Sequence, residues 1–250
     1  MTSTENIREL QEENARLREA LCQRDVFIRE TFGRYLTDEV LDEILSHQDT
    51  PAISGERRVV SILFSDLRRS TELSEQMDAA DFIRMLNHYF AEMIEIINAW
   101  QGNILEFVGD AIVAVFGAPR ENEYAARDAA ACAVAMQRRM TAINIWNREQ
   151  GFPEIAMGIG LHTGEAILGS IGSETRMKYD MIGRNVNLAS RVQSYTVGGQ
   201  ILATDEFLTA AGDQVKVSEE NTLWVTPKGI KGQIRLHSIT GFGKQRIEGK

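Results

Sequence analysis

The apolar residues of this chain keep a helical period up to about residue 50 and a mixed one beyond it. In residues 1–30, Ile7, Leu10, Leu17, Leu21 and Ile28 recur at alternating steps of three and four, with Asn14 and Arg24 in the two remaining places. That is a heptad seam, along which two helices bury one another's stripe, and a single Asn in it fixes the register of a two-stranded coil. The same stripe can instead lie on the chain's own globular part. Residues 31–50 continue with Phe32, Tyr35, Leu36, Val40, Leu41, Ile44 and Leu45 on one stripe and Thr37 as a cap. Pro51 and Gly55 then mark a linker over 48–55.

From Arg57 onward, short β-branched runs alternate irregularly with long helical ones. Residues 59–64 (VVSILF), 103–108, 111–116, 155–162 and 165–171 read as strands, and 79–100, 121–150 and 185–195 as helices. Gly109-Asp110 and Thr163-Gly164 read as hairpin turns. Strands and helices mixed without strict βαβα order predict an α+β fold. The domain expectation is a coil over 1–30, a helical element and linker over 31–55, a globular domain over 56–241 and a tail over 242–250.

Charge and composition exclude several classes. A formal charge of −9 argues against a general nucleic-acid binder, although a metal can still bring a phosphate ligand to an acidic protein. Cys22 and Cys132 both sit in helical segments, which disfavours a disulfide framework and fits a reducing compartment. No apolar run reaches the roughly 18 residues of a membrane span, and the charged N-terminus has no signal-peptide core. The expected location is cytoplasmic, with no membrane part in this chain; an upstream sensor or partner acting through the coil remains open.

Three segments carry candidate chemistry. Asp66 follows the apolar strand VVSILFS, and Asp110 stands at the tip of the first hairpin, in EFVGDAIVAVFG. Two carboxylates at neighbouring strand ends repel unless something positive joins them. A pair of Mg2+ or Mn2+ ions does so and can clamp an in-line displacement at phosphorus. A plainer reading remains open, in which Asp66 caps the next helix and Asp110 completes a turn. Ser70 and Thr71 begin a helix whose N–H groups can face phosphate oxygens, or simply cap it. In MKYDMIGRNVNLASRV, Asn187 and Arg191 share one helix face and can offer an amide and a guanidinium to ribose and phosphate, or form a solvated face. The run 158–164, GIGLHTG, is no dinucleotide fingerprint because it opens no helix, and His162 in it reads as structural. The four His and two Cys have no zinc spacing.

FSDLRRST, EFVGDAIVAVFG and YDMIGRNVNLASR, in this order, resemble the class III adenylate/guanylate cyclase family over about residues 57–239. FGRYLTDEVLDEIL resembles the helical transducer element that precedes many bacterial cyclase domains. The resemblance implies a ferredoxin-like α+β core and a homodimer with shared active sites at its interface. It implies two divalent metal ions on Asp66, Asp110 and the backbone carbonyl of Leu67. Asn187 would orient the ribose, Arg191 would stabilise the transition state, and Glu106 and Asp180 would select the base. Lys231, with Ser70 and Thr71, would bind phosphate. The metal residues would come from one subunit and the base, ribose and arginine residues from the other.

Two departures from the family pattern stand out. Adenylate cyclases commonly carry Lys and Asp at the base positions, and guanylate cyclases Glu and a small residue; here they are Glu106 and Asp180. Either purine then meets one acceptor–acceptor conflict, with GTP slightly favoured because Glu106 can take two donors from guanine. Arg69-Ser70 stands where many relatives have Gly-Phe. The expected function is conversion of a purine nucleoside triphosphate to its 3′,5′-cyclic monophosphate. A catalytically weak nucleotide-binding signalling module and a cyclase for a pyrimidine nucleotide are the alternatives.

Overall fold

The computed structural model describes residues 3–32, 40–42, 55–173, 175–229 and 232–247. The chain divides into two compact units, Met1–Pro51 and Ala52–Lys250. In the first, α1 spans Ser3–Phe32, a helix of 30 residues. Its seam residues Ile7, Leu10, Leu17 and Leu21 are all more than half exposed. Arg29 reaches from the last turn of α1 to Asp42 at 2.9 Å. Residues 40–42 are helical, with Val40 and Leu41 buried. The expected cap at Thr37 and the linker over 48–54 lie outside the described residues.

The second unit is built on a nine-stranded sheet. Its elements run β1 (Glu56–Leu67), α2 (Ser70–Gln76), α3 (Ala79–Ala99), β2 (Asn103–Val108), β3 (Ala111–Phe116), α4 (Ala125–Glu149), β4 (Met157–Ser173), β5 (Arg176–Ile182), α5 (Arg184–Ser194), β6 (Ile201–Thr204), α6 (Asp205–Ala211), β7 (Val215–Val225), β8 (Ile234–Phe242) and β9 (Gln245–Arg246). The sheet order is β2-β3-β1-β4-β6-β8-β7, with β5 on β4 and β9 on β8. Every pairing is antiparallel except β4 with β6. This is the expected α+β architecture.

The main core lies between the sheet and α3, α4 and α6. Met85, Tyr89, Met93 and Ile97 of α3 recur at helical spacing and pack with the alanine-rich α4 and with Phe207 of α6. Asp78 starts α3 by accepting the Ala80 N–H at 2.9 Å. Helix α4 starts later than the spacing suggests, because Asn122 folds its side chain back onto the Tyr124 N–H and makes a turn first. A smaller core of Leu188, Val192, Leu202 and Leu236 lies under α5.

The second expected hairpin is not formed. Residues 155–162 and 165–171 do not turn at Thr163-Gly164; they belong to one strand of 17 residues, β4. Its register with β1 is unbroken from Met157 opposite Leu67 to Leu168 opposite Glu56. A two-residue hairpin turn needs positive φ at its centre, and neither Thr163 nor Gly164 has it. The hairpin that forms is β4–β5, whose outermost pair is Ser173 opposite Arg176.

Candidate active site

Asp66 is the penultimate residue of β1. Asp110 follows Gly109 in the β2–β3 turn, where Gly109 takes a φ of 64° that glycine adopts without strain. Because β1 and β3 are neighbours, the two carboxylates meet at one end of the sheet. The Leu67 N–H donates to Asp110 Oδ2 at 3.0 Å, so the backbone of β1 holds the hairpin's carboxylate in place. Burial, then a shared hydrogen bond with Asp110 and repulsion by it, push the Asp66 pKa up to about 6; the Arg68 guanidinium, 3.9 Å away, opposes them. Asp66 caps no helix: the residue before α2 is Arg69, and no side chain caps that helix.

Two carboxylates brought together where burial and then their mutual interaction raise a pKa form a hard-oxygen donor set short of positive charge. Among the described residues, no group of three or more His, Cys, Asp or Glu side chains gathers. A divalent cation held here would keep the rest of its shell for water and phosphate oxygens, which is how Mg2+ binds in nucleotide sites. The residues fit such an ion.

A second polar group forms where β5 meets β2. Lys178 Nζ lies 3.0 Å from Glu106 Oε1 and 3.1 Å from Asp180 Oδ2. Burial opposes the charge of Lys178, but hydrogen bonds to Glu106 and Asp180 hold its pKa above the ordinary value. Asp180 Oδ1 also accepts the Met181 N–H at 2.8 Å. Strand alternation puts Lys178 and Asp180 on one face of β5, with Tyr179 and Met181 buried on the other. Lys178 escaped the sequence reading, although its spacing of two from Asp180 was visible.

Glu106 owes its direction to a bulge. Ile104 pairs with Ala114, but Glu106 pairs with Val113, so Leu105 is an extra residue in β2. Alternation without the bulge would turn Glu106 to the same face as Ile104, which packs on the main core.

Asn187 and Arg191 lie on α5, opposite its buried residues Leu188, Ala189 and Val192. The helix starts abruptly after β5 because Gly183 takes φ 149°, ψ 172°, a conformation essentially restricted to glycine. Asn187 is exposed and Arg191 half-buried. A Cβ at Gly229 would stand 3.6 Å from Arg191 Nη1, so the β7–β8 connection lies against the guanidinium. Lys231, on that connection, lies outside the described residues. Among the described residues, neither carboxylate of the Asp66–Asp110 pair is ion-paired with Lys178 or Arg191.

Ser70 is half-buried and Thr71 exposed in the first turn of α2. Arg69 has φ 63°, ψ 24°, a left-handed conformation, and its side chain is pinned to Glu72 at 2.7 Å. Position 69 thus keeps a backbone that glycine adopts without strain, although it holds arginine.

Comparison with known proteins agrees with this geometry. The model of the adenylate and guanylate cyclase catalytic domain matches residues 54–241. Adenylate cyclase 1 of Rhizobium meliloti is 30% identical over 213 residues, which are 84% of this chain and 32% of that protein. An uncharacterized protein of Mycobacterium bovis is 32% identical over 234 residues, 92% of this chain and 39% of it. The chain therefore spans about a third of the length of these curated relatives. The crystal structure of the guanylyl cyclase Cya2 matches with a TM-score of 0.76 at 40% identity, covering 78% of this chain and 100% of that one. That of the adenylyl cyclase CyaB from P. aeruginosa gives 0.72 at 31%, covering 79% and 100%. A carboxylate pair and an Asn/Arg helix on this sheet, together with these matches, establish that the chain belongs to the adenylate and guanylate cyclase catalytic domain family.

Proposed function

We propose that this chain converts a purine nucleoside triphosphate, GTP ahead of ATP, to the 3′,5′-cyclic monophosphate and pyrophosphate, as a homodimer with two shared sites. The observation that carries the reading is the Asp66–Asp110 pair, two partly buried carboxylates side by side that a divalent metal would neutralise. When bound, two such ions would neutralise the triphosphate and lower the pKa of the 3′-hydroxyl. Asp66 and Asp110 hold the triphosphate end of the site through their carboxylates. Asn187 of the other subunit orients the ribose, and its Arg191 faces the charge that develops at the α-phosphoryl group. The 3′-oxygen bonds to the α-phosphorus, the bond from that phosphorus to the β-phosphate oxygen breaks, and the 3′ proton leaves to water. No side-chain nucleophile takes part. Ser70, Thr71 and Lys231 are assigned to the phosphates.

Lys178 supports guanine. With its ammonium between Glu106 and Asp180, Glu106 accepts from guanine N1–H and N2–H2 while Lys178 donates to O6. Asp180 is already satisfied by Lys178 and the Met181 N–H. Adenine engages only one donor on Glu106 and one acceptor on Lys178. The acceptor–acceptor conflict disappears for both bases, and guanine makes one more hydrogen bond. The 40% identity to a guanylyl cyclase, against 31% to an adenylyl cyclase, points the same way.

The test is Asp66→Ala with Mn2+ and GTP. Cyclic product should fall about 10³-fold or more, since a lost metal clamp is worth several kcal/mol. Unchanged turnover in a folded variant would overturn the reading.

A further inference from the structure

The run 158–164 of β4, GIGLHTG, takes no part in the chemistry above. Strand side chains alternate. Met157, Ile159 and Leu161 point into the main core, where all three are fully buried. The intervening residues Gly158, Gly160, His162 and Gly164 face α5. A Cβ at Gly160 would stand 2.3 Å from the Gln193 backbone nitrogen. One at Gly158 would stand 2.0 Å from Thr196 Oγ1, and one at Gly164 2.5 Å from Asn185 Nδ2. Helix α5 and its C-terminal turn therefore rest on bare strand backbone at three points.

His162 is the single side chain in that row, and it is 2% exposed. Its Nδ1 lies 2.8 Å from Thr204 Oγ1 and its Nε2 3.2 Å from Asn185 Oδ1. The partners fix the proton. Asn185 Nδ2 donates to the Glu165 carbonyl at 2.8 Å, so Asn185 Oδ1 is the acceptor facing His162. Nε2 then carries the hydrogen, and Nδ1 accepts from the Thr204 hydroxyl. The Thr204 oxygen in turn caps α6 by accepting the Phe207 N–H. The Asn185 hydrogen bond and Glu206, 4.0 Å from Nδ1, favour the charged ring, yet burial outweighs both and holds the imidazole pKa below its ordinary value.

Helix α5 needs an anchor. It has 11 residues, fewer than the roughly 12–15 at which isolated helices become even marginal. Its N-cap is Gly183, which has no side chain to cap it. We propose that His162 is a positioning residue: through Asn185 it fixes the first turn of α5 on the glycine seat of β4, and so aims Asn187 and Arg191. The inference rests on the cyclase reading, which gives those two residues their work.

His162→Gln and His162→Asn test it. The Gln amide reaches the place of Nε2 and can still donate to Asn185; the Asn amide stops at the place of Nδ1 and keeps only Thr204. Steady-state kinetics with GTP and excess Mn2+ should show kcat within about 3-fold of the parent for His162→Gln. His162→Asn should lose about 10- to 100-fold in kcat with little change in KM, the order expected when reacting groups shift by an ångström or less. Melting temperatures should fall for both, because both lose the ring. Equal kcat in the two variants, or a loss confined to KM, would overturn the inference. Should neither variant fold, the half-exposed Asn185 serves instead: Asn185→Ala should reproduce the kcat loss, and an unchanged kcat would overturn it. Arg191→Ala separates the two layers. Parent turnover that depends on Arg191 while His162→Gln and His162→Asn are alike defeats the positioning role alone. Parent protein with no cyclic product defeats the cyclase reading and this inference with it.

Discussion

Asp66→Asn should raise the melting temperature of the metal-free protein at neutral pH while abolishing turnover. The Asp66 carboxyl titrates at about 6 in the fold against an ordinary 3.8. Folding therefore takes up a proton between those values. The group favours the fold below about pH 4, and that contribution is lost as pH rises through about 6. On the proposed reading a divalent cation would take the proton's place, so Mn2+ should raise the melting temperature more at pH 7.5 than at pH 5. Calorimetry at the two pH values checks this, and an equal rise at both would contradict it. Lys178 gives the second residue-scale prediction. Lys178→Ala should lower kcat/KM about 10-fold or more for GTP and ATP alike, because either base then presents an acceptor with no donor opposite. The Glu106/Asp180 conflict was legible in the sequence. Its resolution was not, because it depends on Lys178 of β5 reaching Glu106 of β2 and on the extra residue Leu105, and neither leaves a local pattern. Arg69 is the converse case. The departure from Gly was plain in the sequence, but only the backbone shows that the left-handed turn persists.

Among the elements, the long helices and the first hairpin followed from period and turn chemistry, since those signals are local. Strand β4 did not. Thr163-Gly164 looked like a turn, but Gly164 is small because Asn185 packs against it, not because the chain reverses there. A glycine that makes room and a glycine that turns are the same letter. Position 69 offers a test at this scale. A left-handed non-glycine residue costs roughly 1–2 kcal/mol, so Arg69→Gly should leave stability unchanged or raise it by up to about 1 kcal/mol, with activity retained. A clear fall in the denaturation midpoint would mean that the exposed Arg69–Glu72 pair matters more than the strain.

For the molecule as a whole, α1 carries an exposed apolar seam, and among the described residues neither Asp66 nor Asp110 is ion-paired with Lys178 or Arg191. Both features fit a dimer in which the coil brings two chains together and each site draws on both. Leu17→Glu, in the middle of the seam, should weaken dimerisation and lower activity most at low protein concentration; an unchanged mass in sedimentation and concentration-independent kinetics in turnover assays would contradict it. Mixing Asp110→Ala with Arg191→Ala protein should restore part of the lost activity, because each mixed dimer keeps one intact site. No restoration, with mixed dimers shown to form, would rule out shared sites. The most direct measurement is one assay of ATP, GTP, CTP and UTP with Mn2+ and product identification by mass spectrometry. Cyclic GMP should form fastest, cyclic AMP more slowly, and pyrophosphate in equal amount. Nucleotide bound without any cyclic product, or a cyclic pyrimidine product ahead of both purines, would contradict a purine nucleotide cyclase built on Asp66 and Asp110.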